Sequence, residues 1–139
     1  MNPNPQKLLA IDYGEKKVGL AMADTETRIA TPYKILTNDK DLLVKLKDIC
    51  LKEEIGKIVV GVPLTLKSAS SKQTNIVLKF IDKLRKATYI DIVEQDERMS
   101  SAYAKSLLKE MKVKHLDDDV AAMIILQSYL DEIGRYPIY

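Results

Sequence analysis

The segment LLAIDYGEKKVGLAMAD, residues 8–24, determines how the rest of the chain is interpreted. Four apolar residues lead to the carboxylate of Asp12, a polar turn containing Gly14 follows, and a second apolar run covers 18–23. This pattern predicts two strands, at 7–13 and 17–24, joined by a tight turn. Residues 8–11 of the first strand are all apolar, so we expect this strand in the middle of a sheet, covered on both faces. A carboxylate at its end is costly to bury without a partner, and we interpret Asp12 as a metal ligand.

Composition predicts one soluble domain over residues 1–139, with 1–6 as a disordered lead-in. The chain is 46% apolar and 30% charged, and its net charge of +2 neither indicates nor excludes nucleic-acid binding. The single cysteine, Cys50, cannot form a disulfide within the chain or a CxxC metal site. A reducing, cytoplasmic location is expected. The sequence has neither the apolar stretch of a secretory signal nor a run long enough to span a membrane.

The hydrophobic periodicity predicts the order βββαβαβαα. Further strands are expected at 29–36, with Pro32 suggesting an edge, at 57–62 and at 89–94. A first helix is expected after a cap at Asn38 or Asp39. A second, at about 71–86, should bury Ile76, Val77, Phe80, Ile81 and Leu84. A third should run from about 100 to 111, and a last from Asp118 to about 133.

Three antiparallel strands followed by parallel additions predict an α/β fold, a mixed five-stranded sheet with helices on both faces. In such sheets, ligands lie beyond the carboxyl ends of the strands. Asp12 ends the first strand, Glu97 follows the fifth, and Asp118 opens the last helix. If strands one, four and five are parallel neighbours, these acids converge at one edge.

Carboxylates brought together repel each other unless a cation neutralises them. Oxygen ligands without a Cys/His cluster suit Mg²⁺ or Mn²⁺, and two ions about 4 Å apart suit in-line attack on a phosphodiester. Taken alone, each acid is more often a cap or a surface residue than a metal ligand. Residues 117–119 are all aspartate, and a helix N-terminus favours acids through its dipole alone, so the spacing leaves the choice among them open.

Four motifs resemble the YqgF/RuvX family of ribonuclease H-like proteins, relatives of RuvC-type Holliday junction resolvases. They are IDYGEKKVGLAMAD (11–24), VVGVPLTLKSAS (59–70), QDERMSSAYA (95–104) and DDDVAAMIILQSYL (117–130). The resemblance covers residues 8 to about 132 and implies a ribonuclease H-like fold. It also implies metal binding by Asp12, Glu97 and Asp118, which selects Asp118 over its neighbours. RuvC-type enzymes bring a fourth acid near this helix start, where this chain has Ala121 and Ala122.

Basic and hydroxyl side chains near the predicted active edge are candidates for contacts with phosphates. They are Lys16, Lys17, Lys67, Ser70, Lys72, Arg98 and Lys105. The alternative is that the loop around 63–73 is simply solvated, and that the basic residues elsewhere form a solvated face. Within that loop the family commonly has an acid–glycine pair, whereas this chain has Lys67 and Ser68. Tyr13 and Tyr103 can stack on bases, but packing within the fold is the better interpretation of both.

The resemblance implies a metal-dependent nuclease that processes the 5′ end of precursor 16S rRNA in ribosome biogenesis. Structured RNA is the expected partner, with precursor ribosomal particles as its setting and a monomer or weak homodimer as the assembly. The alternatives are a resolvase-like endonuclease for branched DNA and a nucleic-acid-binding module without turnover. A phosphotransferase of the actin or sugar-kinase type also places DxG after a strand, but it needs two such domains, and 139 residues hold one.

Overall fold

The fold is seen in a computed structural model, which describes residues 5–63, 72–96 and 118–135. Five strands run over β1 (Lys7–Tyr13), β2 (Lys17–Asp24), β3 (Thr31–Thr37), β4 (Ile55–Val62) and β5 (Asp91–Asp96). Three helices are described: α1 (Leu42–Lys52), α2 (Lys72–Ala87) and α3 (Asp118–Arg135). The helix predicted at 100–111 lies outside the described residues.

The strands form one mixed sheet in the order β3-β2-β1-β4-β5. β1 pairs antiparallel with β2, and β2 antiparallel with β3. β1 also pairs parallel with β4, and β4 parallel with β5. The predicted α/β class and the central position of the first strand are therefore confirmed, and Pro32 does lie on an edge strand.

Alternation along β1 divides the core between the two faces of the sheet. Leu9 and Ile11 pack with α1 and α2 on one face, while Leu8 and Ala10 pack with α3 on the other. All four are at most 1% exposed, which explains why this strand reads as a continuous apolar run rather than an alternating one.

Several predicted boundaries were wrong at their ends. β3 begins at Thr31 instead of 29, β4 begins at Ile55 instead of 57, and β5 occupies Asp91–Asp96 instead of 89–94. For β5 the cause is its parallel pairing with β4, which matches Asp91 to Lys57 and leaves Tyr89 outside the ladder and fully exposed. The starts of β1, β2 and α3 are as predicted.

Two side-chain predictions were also wrong. Neither Asn38 nor Asp39 caps α1, because the helix begins at Leu42 after Asp41, whose side chain makes no capping hydrogen bond. Ile76 is 37% exposed, whereas Thr74, which was not among the residues predicted to be buried, is fully buried. No helix within the described ranges is long and apolar enough to cross a membrane.

Candidate active site

Asp12 lies at the carboxyl end of the central strand. It is the last residue but one of β1 and pairs with Gly19 of β2. By the alternation of the strand, Asp12 shares the face of Leu8 and Ala10, which α3 covers. Unlike those two residues it is only partly buried, so this carboxylate stands where the core of the α3 face meets solvent.

The turn that follows Asp12 is tied down on two sides. Asn38 Nδ2 donates to the Gly14 carbonyl at 2.8 Å, and the Asn38 amide donates to the Lys16 carbonyl at 2.9 Å. A Cβ at Gly14 would lie 2.5 Å from the Lys17 carbonyl oxygen. The turn is therefore held in one conformation that requires glycine, and it carries the exposed side chains of Lys16 and Lys17 at the same edge as Asp12.

A row of positions crosses the α3 face at the level of Asp12. Ile11 pairs with Val60, so continuing the parallel register by one residue places Asp12 beside Gly61, which pairs with Gln95 of β5. Glycine in the middle of this row leaves no side chain on β4 between the other two positions. The strand β5 ends at Asp96, immediately before Glu97 in the sequence.

Gln95 is a buried polar residue in this row. It is 4% exposed, and its Nε2 donates to Glu132 Oε1 of α3 at 3.2 Å. A buried amide needs such a partner, and this one ties β5 to the C-terminal part of the helix. The same part of α3 also contacts the amino end of β4, where Lys57 Nζ donates to the Tyr129 hydroxyl at 3.3 Å. The helix therefore crosses the strands obliquely.

The C-terminal half of α3 is anchored near the amino end of β1. Arg28, in the connection between β2 and β3, donates through Nη2 to the Leu130 carbonyl at 2.8 Å. That connection follows Asp24, which pairs with Lys7 at the start of β1. The helix therefore points its N-terminus away from this end.

The lengths of strand and helix agree with that direction. At 1.5 Å per residue, Asp118 lies ~18 Å along α3 from Leu130. At 3.3 Å per residue, Asp12 lies ~17 Å along β1 from Lys7. The length of helix from Leu130 to Asp118 is thus similar to the length of strand from Lys7 to Asp12. Of Asp118, the structure describes the backbone as the first residue of α3.

Helix α2 begins at the same carboxyl edge. The Thr74 hydroxyl, fully buried in its first turn, donates to the carbonyl of Pro63, directly after β4. Further along, Phe80 stacks on Tyr13 with ring centroids 4.2 Å apart and an interplanar angle of 18°. Tyr13 thus packs within the fold, as predicted, and Lys72 stands exposed at the start of α2.

The predicted site is only partly within the described ranges. The described ranges contain Asp12, Lys16, Lys17, Lys72 and the helix start at Asp118. The other predicted residues lie outside these ranges: Glu97, Arg98, Lys67, Ser70, Lys105 and Tyr103. In the described ranges, no three Asp, Glu, His or Cys side chains are grouped so that they could hold a metal ion. Asp12 does supply the hard oxygen donor that Mg²⁺ and Mn²⁺ favour.

Two residues of this edge were missed by the sequence reasoning. The sequence predicts a helix cap at Asn38 or Asp39, but the Asn38 side chain secures the turn beside Asp12. Gln95 stood next to the DER motif without being assigned a role, yet it is buried in the Asp12 row. The signal was an amide between two acids in a strand, and it becomes informative once the register is known.

Comparison with known proteins places this arrangement among nucleases. A relative from Rickettsia canadensis, named "Putative pre-16S rRNA nuclease", is 41% identical over 96% of this chain and 91% of its own. The counterpart in Rickettsia typhi, with the same name, is 39% identical over 96% of this chain and 90% of its own.

Solved structures agree on the fold. Thermus thermophilus RuvC in complex with a Holliday junction substrate aligns with a TM-score of 0.64, at 11% identity, over 95% of this chain and 96% of that chain. The fowlpox virus Holliday junction resolvase aligns with a TM-score of 0.55, at 13% identity, over 91% of this chain and 99% of its own. At such identities the likeness concerns the ribonuclease H-like fold alone.

The family model RuvX, described as Holliday junction resolvase, matches residues 6–132, which include all three predicted acids. The sheet order, the placement of Asp12 at the carboxyl end of β1 and the start of the last helix at Asp118 agree with the motifs that first indicated this family. The chain belongs to the RuvX family.

Proposed function

We propose that this protein is a divalent-metal-dependent nuclease that hydrolyses phosphodiester bonds in structured RNA and processes the 5′ end of precursor 16S rRNA. Family membership and the names of its relatives support the nuclease class. The observation that carries the proposal is Asp12, a partly buried carboxylate at the carboxyl end of the central strand, on the face that α3 covers.

The metal ligands we propose are Asp12, Glu97 and Asp118. Their donor set is all carboxylate, which suits Mg²⁺ or Mn²⁺, and two ions would balance three negative charges with a small excess for a phosphate. Bound divalent ions activate a water molecule and stabilise the leaving oxygen of a phosphodiester. Gly61 supports this assignment, because a side chain on β4 would occupy the middle of the Asp12 row.

The chain's own residues would also orient the substrate. Lys16 and Lys17 stand exposed on the turn that Asn38 secures, and Lys72 stands exposed at the start of α2. Fixed lysines around an acidic centre attract the phosphate backbone without reading its sequence. We propose the same role for Lys67, Ser70, Arg98 and Lys105.

Cleavage of a 5′-labelled precursor 16S rRNA fragment in Mg²⁺ or Mn²⁺ tests the proposal. The wild-type protein should shorten the 5′ end, and Asp12→Asn and Asp118→Asn should reduce cleavage to background. Asp119→Asn is the matched control, because it removes the same charge from the adjacent position and should retain activity. Equal activity of wild type and Asp12→Asn would contradict the catalytic assignment.

A second readout follows metal binding without turnover. Titration of Mn²⁺ by calorimetry should show binding to the wild-type protein and to Asp119→Asn. It should be weakened or lost in Asp12→Asn and Asp118→Asn, since each substitution removes an anionic oxygen donor. Unchanged Mn²⁺ affinity in both of the latter variants would remove these residues from the metal site.

Branched DNA is the second candidate substrate, because the solved structures that share this fold include RuvC bound to a Holliday junction. A synthetic four-way junction, assayed beside the RNA under the same ionic conditions, separates the two. We expect faster cleavage of the RNA. Preferential and symmetric cleavage of the junction would instead favour a resolvase.

The setting we propose is the cytoplasm, with precursor ribosomal particles as partners and the protein as a monomer or weak homodimer.

Replacing the chromosomal gene by a gene that encodes Asp12→Asn distinguishes an enzyme from a binding module. Accumulation of 5′-extended 16S rRNA would support the enzyme. Normal rRNA ends and normal growth would indicate a module that binds without turnover.

A further inference from the structure

Helix α2 carries four lysines along one line of its surface. At 100° per residue, Lys72, Lys79, Lys83 and Lys86 fall within roughly 60° of one another around the helix axis. All four are exposed, and they lie opposite the buried side, formed by Thr74, Val77, Phe80, Ile81 and Leu84. We call these four residues the lysine ridge.

Two of the four ridge lysines have no ion pair among the residues that the structure describes. Lys86 lies 3.4 Å from Asp82, but Lys79 and Lys83 form no ion pair with any residue of the described ranges. Like charges three and four residues apart destabilise a helix by a few tenths of a kcal/mol each. A polyanion lying along the ridge would relieve that repulsion.

Charge is separated between the two faces of the sheet. Helix α2 contains five basic residues and one acid, and α1, on the same face, contains three lysines and one aspartate. Helix α3, on the other face, contains four acids and one arginine. The net charge of +2 for the whole chain therefore conceals a strongly basic face.

The ridge starts at the active edge and leads away from it. Its first member, Lys72, opens α2, which the Thr74–Pro63 hydrogen bond fixes at the end of β4. From Lys72 to Lys86 the ridge spans ~21 Å, or about six nucleotide steps of 3.4 Å. The Tyr13–Phe80 stack holds this helix against the strand that carries Asp12.

We infer that the lysine ridge binds the phosphate backbone of the substrate beyond the cleavage site, so that the nucleic acid leaves the active edge along α2. The inference rests on the proposed nuclease function, and it adds a surface that the family motifs do not contain. Lysines contacting phosphates in this way supply affinity and register and leave sequence preference unchanged.

Binding of a fluorescein-labelled RNA hairpin, measured by anisotropy in EDTA at several salt concentrations, tests the ridge without cleavage. In Lys79→Ala/Lys83→Ala the negative slope of log K against log salt should become shallower by about 1.8, since each phosphate contact on a duplex contributes ~0.9 to its magnitude. If affinities converge at 1 M salt, binding at 0.1 M should weaken about 60-fold. Alanine preserves the helix, and a melting temperature no lower than that of the wild type verifies this.

The matched control is Lys34→Ala/Lys40→Ala. These two lysines are also exposed, but they lie on β3 and before α1, and their removal changes the net charge equally. The control should keep a slope within about 0.5 of the wild type. An unchanged slope in the ridge variant, or an equal loss in the control, overturns the inference.

Cleavage kinetics separate failure of the ridge from failure of the proposed function. A short substrate that ends near the cleavage site should be cut equally by wild type and Lys79→Ala/Lys83→Ala. A substrate extended by six or more nucleotides should show a raised KM in the variant with kcat unchanged, if the ridge only binds. If wild type and Lys79→Ala/Lys83→Ala have equal KM values on the extended substrate, while Asp12→Asn still abolishes cleavage, the role of the ridge is rejected and the proposed nuclease function stands. Absence of cleavage and of RNA binding by the wild type rejects both.

Discussion

Replacing Gly14 by alanine tests whether the turn after Asp12 is held as described. The added Cβ would lie 2.5 Å from the Lys17 carbonyl oxygen, and Cβ contacts below 3.0 Å essentially do not occur. The obstacle is backbone rather than the end of a flexible side chain, so the turn must open by at least 0.5 Å. The Asn38 hydrogen bonds to this turn oppose that movement.

The expected cost follows from this geometry. Forcing one methyl group into a filled site costs about 1–3 kcal/mol, equivalent to roughly 4 °C of melting temperature per kcal/mol for a chain of this size. Asp12 lies two residues before Gly14, so movement of the turn should also displace the carboxylate. A misplacement approaching 1 Å can cost ~100-fold in rate.

Two measurements on Gly14→Ala check this expectation. Thermal unfolding should show the loss of stability, and cleavage of the labelled RNA at a temperature well below the transition should show a lower kcat. Glu15→Ala is the control, because Glu15 is exposed in the same turn and its replacement adds no atom near Lys17. Wild-type stability and kcat in Gly14→Ala would refute the idea that this turn is rigid and positions Asp12.

Two further predictions concern the other end of the sheet. Gln127→Ala should destabilise the protein by about 1–3 kcal/mol in urea unfolding, because it removes the acceptor that the buried Ala30 amide contacts at 2.9 Å; Gln127→Glu, which keeps an acceptor, should recover part of the loss. Hydrogen bonds, first of all from the Thr27 amide, lower the pKa of Asp24 below 3.8, so its contribution to stability is present above pH 3.8 and is lost as the pH falls through the lowered value. Asp24→Asn should therefore reduce stability at pH 6 and show a weaker loss than the wild type between pH 4 and 2, and parallel acid-unfolding curves would contradict this.

The arrangement of the sheet followed from local pattern because few alternatives fit that pattern. A strand with four consecutive apolar residues must be covered on both faces, which placed β1 at the centre. The tight turn at Gly14 made β2 antiparallel, and a helix between two strands requires a parallel crossover. These constraints act between neighbours in sequence, so they are visible without coordinates.

The boundaries of β5 depended on a partner distant in sequence. Tyr89 and Ile90 have strand propensity, but the ladder with β4 starts only where Asp91 meets Lys57. Pairing therefore overrode propensity and moved the strand by two residues. The shift has a functional consequence, because it makes Asp96 the last residue of β5 and places the end of the strand directly before Glu97.

The role of Asn38 could not be predicted for the same kind of reason. An asparagine a few residues before an amphipathic segment is typical of a helix cap, and the rule does not consider acceptors elsewhere in the chain. The carbonyl of Gly14, 24 residues away, is brought within 2.8 Å by the pairing of β2 with β3. Once that hydrogen bond forms, the side chain is no longer available to the helix, and α1 begins later without a side-chain cap.

Near-neutral composition was the least informative property of the sequence, and the fold explains why. A site that gathers carboxylates for metal ions needs acids on the face that holds them, while phosphate binding needs lysines outside that centre. The helices separate the two sets, with acids concentrated on α3 and lysines on α1 and α2. Summation over the chain cancels them to +2. For a nuclease of this kind, the charge of each face is therefore the quantity that reports on nucleic acid, and it becomes readable once the helices have been assigned to their sides of the sheet.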